Sequence, residues 1–255
     1  MSDYDRFANA RVGAGLARSG AGAIDQGLRA YMIGVYNYMM IGLGLTGLAA
    51  YGAYKFAVVE SAGRIVGLTA FGEAIYTGPL KWLIIFAPLA MVFWISAAMN
   101  SMSVSTARGA FFAFSALIGL SMSTIFVLYT QASIGRVFFE TAAAFGALSL
   151  YGYTTKRDLS AMGSFLVMGL FGLIIASVVN IFLGSTGLQW ALSIVGIGIF
   201  AGLTAWDTQA IKEAYFAGDS RESSEKMAIY GALKLYLNFI NMFQMLLSLS
   251  GGRRD

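Results

Sequence analysis

The residue best placed to do chemistry is Asp207. It lies near the end of an almost unbroken apolar run, Gln189 to Ile211 (QWALSIVGIGIFAGLTAWDTQAI), and is the one acidic residue deep inside such a run in the second half of the chain. An ionised carboxylate near a bilayer centre costs roughly 2.5 to 3.5 kcal/mol on insertion scales, so a chain that keeps one has a use for it: holding a proton, a cation or a basic partner. A second polar feature lies in AIYGALKLYLNFINMFQMLLSL, the run starting at Ala228. Lys234, Asn238 and Asn241 are spaced by four and three, which stacks them on one helical face. At 1.5 Å per residue, Asp207 lies roughly 7 Å in from Lys212 and Lys234 roughly 9 Å in from Ala228, so the two sit at similar depth on consecutive antiparallel helices. Lys234 either pairs with Asp207 or snorkels to the interface.

The absences narrow the chemistry. The chain has no cysteine and no histidine. That removes disulfides, thiol catalysis, zinc held by Cys or His, cysteine-bound iron–sulfur clusters, histidine-ligated haem and any nucleophile served by an imidazole base. No GxxxxGK[ST] loop occurs, and Gly196-Ile-Gly198 has neither a preceding strand nor a third glycine at the required spacing. The expectation is a protein that is not an enzyme and carries no cofactor or resident metal. Nor is nucleic acid an expected partner, because the cations are spread over loops and not gathered on one face.

The elements that must position Asp207 follow from composition. With 58% hydrophobic residues, 12% charged residues and a mean hydropathy of +0.69, the chain reads as an integral membrane protein. Seven apolar runs have the length a helix needs to cross the hydrocarbon core: Tyr31 to Tyr54, Trp82 to Met99, Ala110 to Thr130, Val137 to Thr155, Ala161 to Leu183, Leu188 to Ile211, and Ala228 to Leu249. The second and fourth are the shortest. Runs this long and uniform do not suit barrel strands, so the expected fold is an all-α polytopic bundle of seven transmembrane helices over residues 31–250. Residues 1–30, rich in Gly, Ala and Ser between arginines, read as a flexible cytoplasmic tail that helps set topology. With the N-terminus inside, the cytoplasmic segments hold ten cations (Arg6, Arg11, Arg18, Arg29, Arg108, Lys156, Arg157, Lys212, Arg221, Lys226) and the opposite side six (Lys55, Arg64, Lys81, Arg136, Arg253, Arg254).

The remaining intramembrane polar groups read as structure. Glu140 is one turn from Arg136 and suits a surface ion pair, Lys81 can snorkel, and Asn180, Ser177, Ser164 and Thr204 can bond across helices or back to carbonyls. Gly198 with Gly202, Ser115 with Gly119, Gly119 with Ser123, and Ala142 with Gly146 have the four-residue spacing of close helix seams.

Three segments, GYTTKRDLS at Gly152 to Ser160, GLTAWDTQ at Gly202 to Gln209 and LYLNFINMF at Leu235 to Phe243, resemble the bacterial branch of the Bax inhibitor-1 (transmembrane Bax inhibitor motif) family, and the likeness runs from about Tyr31 to Leu249. The resemblance implies a seven-helix fold with the last helix central, and activity as a pH-sensitive calcium leak gated by two aspartates that share a proton. Asp207 matches the first of these. The second position holds Asn238, so the chain departs from the pattern at the residue most tied to pH sensing. Without a second carboxylate the like-charge coupling is gone, and the expectation is a site less responsive near neutral pH, with Lys234 as a latch and Asn241 a lesser candidate on the same stripe. The resemblance also implies a different role, in which relatives bind and restrain the membrane-bound AAA protease FtsH without conducting.

Overall fold

Apolar runs almost free of proline become long helices, and short polar residues decide where each begins. The computed structural model describes residues 26–61, 64–99 and 101–254 in full. In chain order it has helix α1 (Asp3–Ala57), strands β1 (Val58–Ser61) and β2 (Arg64–Leu68), a short α2 (Ala70–Gly72) leading into a π-helical turn (Glu73–Thr77), α3 (Leu80–Ala98), α4 (Val104–Met122), α5 (Ile125–Leu128), α6 (Gln131–Thr154), α7 (Ser160–Leu183), α8 (Thr186–Glu213) and α9 (Arg221–Ser250).

Ser103, Thr130, Ser185 and Ser220 cap α4, α6, α8 and α9, each side-chain oxygen accepting from the backbone N–H three residues on at 3.1–3.3 Å. These caps satisfy first-turn donors that would otherwise have no partner. They also place the starts of α4, α6 and α9 six or seven residues before the apolar runs do (Val104 against Ala110, Gln131 against Val137, Arg221 against Ala228), because hydropathy marks the lipid-facing stretch and capping marks the helix. Pro79 immediately precedes α3, where a missing N–H costs nothing, and Gly184 closes α7 in the left-handed conformation at φ 61°.

The structure refines the expected bundle at three points. The Ala110 to Thr130 run is not one helix: Ser123 turns back to bond the Leu120 carbonyl and accepts from the Tyr76 hydroxyl at 3.1 Å, which ends α4 and sets off α5. The fold is all-α in class, as expected, with one small addition: β1 and β2 form an antiparallel hairpin too short to leave a legible two-residue period. Third, among the described residues six helical segments are long and apolar enough to cross a membrane: Gln26–Ala57, Leu80–Ala98, Val104–Leu128, Ser160–Leu183, Thr186–Glu213 and Arg221–Ser250. The fourth run corresponds to α6, which has the length but not the apolarity, since Gln131, Ser133, Arg136, Glu140, Thr141 and Ser149 interrupt it. The expected tail lies outside the described residues except for 26–30, which are helical and continuous with the first span.

α9 is the axis. It packs against α1, α4, α6 and α8, and 56% of its most apolar stretch is buried, the largest share among the six segments. α7 packs on α8, and α3 packs on α4. Large apolar side chains such as Phe93, Phe139, Phe165, Phe182 and Trp190 stand exposed around the circumference, the distribution expected of a surface solvated by lipid.

Contacts define the two ends of the bundle. At one, Tyr31 at the start of the first span stacks near Tyr215 beyond α8 (ring centroids 5.4 Å apart), and Lys212 reaches the Tyr153 carbonyl at the end of α6. At the other, the end of α1 and the hairpin meet the C-terminal residues, Arg254 donating to the Tyr54 hydroxyl at 2.6 Å and lying 3.8 Å from Glu60, and Gly252 donates to Ser133 at the start of α6. α6 therefore runs from one end of the bundle to the other, as its neighbours do.

Candidate functional site

Asp207 is 6% exposed and Asn238 5%, and they face each other across the α8–α9 seam. The Asn238 amide donates to Asp207 Oδ2 at 2.7 Å, and Lys234 Nζ approaches Asp207 Oδ1 at 3.4 Å. Both carboxylate oxygens thus have a donor, which is the condition for keeping a charge out of water. Lys234 pairs and does not simply snorkel. Its ammonium also lies 5.7 Å from the Trp206 ring and 5.5 Å from the Tyr230 ring, two aromatic faces that favour a cation at this spot. Asn241 does not join the group. Its amide donates to the Leu237 carbonyl one turn back at 2.8 Å, so the polar stripe contributes two of its three residues.

A cavity of about 710 Å³ connects Lys234 to the end of the bundle that carries the α8–α9 loop, with Tyr31, Met99, Ile211 and Tyr230 along its wall and Ser220, Glu222, Ser223 and Lys226 at its rim. Lys234 is its deepest charged residue and touches Asp207 behind it. Past the pair Phe200, Leu203, Phe239 and Met242 are all buried, among hydroxyls that are satisfied within the bundle: Thr204 donates to the Phe200 carbonyl at 2.7 Å, and Thr46 and Tyr236 share a hydrogen bond of 2.6 Å. The arrangement is a water-accessible vestibule closed by a lysine held on a buried carboxylate.

A family model described as an inhibitor of apoptosis-promoting Bax1 matches residues 28–255. The chain belongs to the Bax inhibitor-1 family. It is similar to protein RP147 of Rickettsia prowazekii (45% identical, covering 91% of this chain and 93% of that one), to the inner membrane protein YbhL of Escherichia coli K12 (44%, 89% and 94%), and to a Caulobacter vibrioides protein (42%, 91% and 92%).

The three segments that carry the Bax inhibitor-1 signature converge in space. Gly152 lies so close to α8 that a Cβ would strike the Ala205 carbonyl, and Gly163 lies under the Trp206 ring in the same way. Gln209 clamps the loop after α6, donating to the Arg157 carbonyl at 2.8 Å and accepting from the Leu159 N–H at 2.9 Å. Lys212 donates to the Tyr153 carbonyl at 2.8 Å with its ammonium 5.1 Å from the Tyr153 ring. The face of α8 beside Asp207 is pinned to α6 and α7, leaving the α9 face to carry Lys234 and Asn238. A further chain of hydroxyls, Tyr36 to Ser149 to Thr208, links α1, α6 and α8, the last contact being 2.9 Å. Gln209, Ser149 and Tyr36 escaped the sequence reading. Gln209 stands inside the GLTAWDTQ motif two residues from Asp207 and carried a usable signal; Tyr36 and Ser149 are single polar residues in apolar runs and carried none.

The other polar groups are structural. Arg136 and Glu140 form an exposed pair at 3.6 Å, and Thr204, Ser177 and Ser164 donate to carbonyls four residues back. Asn180 accepts from the Ser185 N–H and donates to Gln189, closing the α7–α8 turn. The glycine pairs behave unequally. Gly119 presses on Thr46 of α1 and Gly202 on Leu166 of α7, whereas Gly198 and Gly146 face open space and are not seams.

Proposed function

We propose that this Bax inhibitor-1 family membrane protein is a regulated cation leak, with calcium as the transported ion, and that the arrangement described is its closed state. The observation that carries the reading is the Lys234–Asp207–Asn238 group at the base of a vestibule. A lysine on the buried acid occupies the place a passing cation would take, and its release opens the acid to the vestibule. Asn238 supplies a fixed donor where the family pattern has a second acid, so the proposed pH response is shallow. In this reading α6 is a seventh crossing, because it runs the full length of the bundle despite its polar residues, and the N-terminus is cytoplasmic, placing the vestibule mouth on the side with more basic loops. Placement in the inner membrane follows the name of the relative YbhL. No catalytic, cofactor or resident metal role is proposed.

The test is calcium flux into dye-loaded proteoliposomes. Lys234→Met is expected to raise flux about fivefold, the factor that loss of a half-exposed ion pair of about 1 kcal/mol gives in a closed-to-open equilibrium. Asn238→Asp is expected to steepen the pH dependence, and Asp207→Asn to alter flux. Three silent variants, with the parent chain instead co-purifying with FtsH, would replace this reading with that of a non-conducting regulator.

A further inference from the structure

α1 and α6 both lean on α9 without forming a packed interface with each other. The consequence is a lateral slot of about 780 Å³, walled by Ile33 and Met40 on one side and Phe138 and Leu150 on the other, and floored by Phe239. These four wall residues are large, apolar and exposed, so the slot opens sideways toward lipid. Gly146 and Ala142, the pair whose spacing resembled a helix seam, line it, and a Cβ on Gly146 would meet nothing within 4 Å.

The slot has a charged end. Arg29 lines it at the N-terminal end of the first span, and Tyr153 lines it at the C-terminal end of α6, where Lys212 donates to the Tyr153 carbonyl and Lys156 and Arg157 follow in the loop. Asp158 in that loop is engaged with the Ser160 N–H at 2.8 Å. From Arg29 to Leu43, the deepest α1 residue on the slot, is fourteen residues, about 21 Å of helix. One bilayer leaflet with its headgroup measures roughly 20 to 22 Å. We infer that the slot between α1 and α6 is a binding site for one anionic phospholipid, its acyl chain on Phe239 beside Gly146 and its phosphate at Arg29. The two features select the occupant jointly: an apolar wall open to lipid takes an acyl chain, and a cationic end at headgroup depth takes a phosphate. The Tyr36–Ser149 hydrogen bond crosses the slot and continues to Thr208, next to Asp207, so the site adjoins the α8 segment that holds the buried acid.

Native mass spectrometry of the full chain, released from detergent after titration with phosphatidylglycerol or phosphatidylcholine, tests the site. The parent is expected to retain one phosphatidylglycerol in preference to phosphatidylcholine. Gly146→Leu, which fills the slot, is expected to lose about tenfold in retention, while Gly44→Leu, at an equally open position outside the slot, is expected to behave as the parent. Arg29→Gln is expected to cut the preference for the anionic lipid about fivefold without abolishing chain binding. Equal retention by the parent and Gly146→Leu, or no preference for the anionic lipid, overturns the proposal. A dimer that dissociates in Gly146→Leu overturns it as well, by making a second copy of the chain the occupant.

Discussion

A carboxylate enclosed by two helices takes its partners from those helices, and the substitutions around Asp207 are therefore unequal in effect. Asn238→Leu leaves Asp207 Oδ2 buried without its 2.7 Å donor, and a lost hydrogen bond to a charged group costs about 1.5 to 3 kcal/mol. Asp207→Asn removes the charge and leaves Lys234, whose side chain is 36% exposed, free to turn into the vestibule. Thermal unfolding in detergent is expected to show a clear loss of Tm for Asn238→Leu and a much smaller change for Asp207→Asn. The reverse order would mean that the Lys234 contact, and not the amide, holds the acid. At this scale the sequence was informative: a lone acid in an apolar run, and a lysine and an asparagine on one helical face, are local patterns. It could not decide between pairing and snorkelling for Lys234, since both satisfy the same depth, and it overvalued Asn241, whose bond to the Leu237 carbonyl depends on a rotamer.

Between elements, glycine marks contact at some positions and open space at others. Gly152→Ala puts a methyl against the Ala205 carbonyl, which must push α6 off α8 and strain the Gln209 and Lys212 bonds to the segment that follows. Gly198→Ala meets nothing and gains helix propensity of about 1 kcal/mol. Melting curves are expected to fall for the first and hold or rise for the second. If both behave alike, the close approach of α6 and α8 is not what fixes the Asp207 face. Four-residue spacing identified Gly119 and Gly202 as seams and misassigned Gly198 and Gly146, because spacing states which residues share a face and not what that face meets.

For the whole molecule, the end opposite the vestibule is tied by charge. Glu60 in the hairpin accepts from Lys55 at 2.7 Å and from the Tyr54 hydroxyl, and Arg254 lies 3.8 Å from it. The C-terminal residues are held further by the Arg254 N–H on the Leu128 carbonyl and the Thr130 N–H on the Gly252 carbonyl, both 3.0 Å. The Lys55 ammonium, with the Tyr54 hydroxyl, holds the Glu60 carboxyl below the usual carboxylate range. A depressed carboxyl contributes stability above its unfolded value, near 4.3, and loses it as pH falls through the lower folded value. Protection against hydrogen exchange in residues 58–61, 64–68 and 251–254, taken relative to the intrinsic rate at each pH, is expected to be high at neutral pH and to fall on acidification below the ordinary carboxylate range, with Glu60→Gln showing the lower protection already at pH 7. Protection independent of pH in the parent would assign the clamp to the backbone bonds alone.

By itself the sequence determined the membrane class, the helical character, the central acid and the polar stripe on the next helix, because hydropathy and the 3.6-residue period are properties of contiguous chain, and three short contiguous motifs carried the family. The tertiary structure decided which equal-depth groups meet, that α9 forms the axis, that a hairpin and the C-terminal residues close one end, and that α1 and α6 leave a slot between them. Those outcomes depend on contacts between residues tens to hundreds of positions apart. Apolar side chains suit lipid and protein neighbours alike, so hydropathy cannot tell which of the two an apolar face will meet.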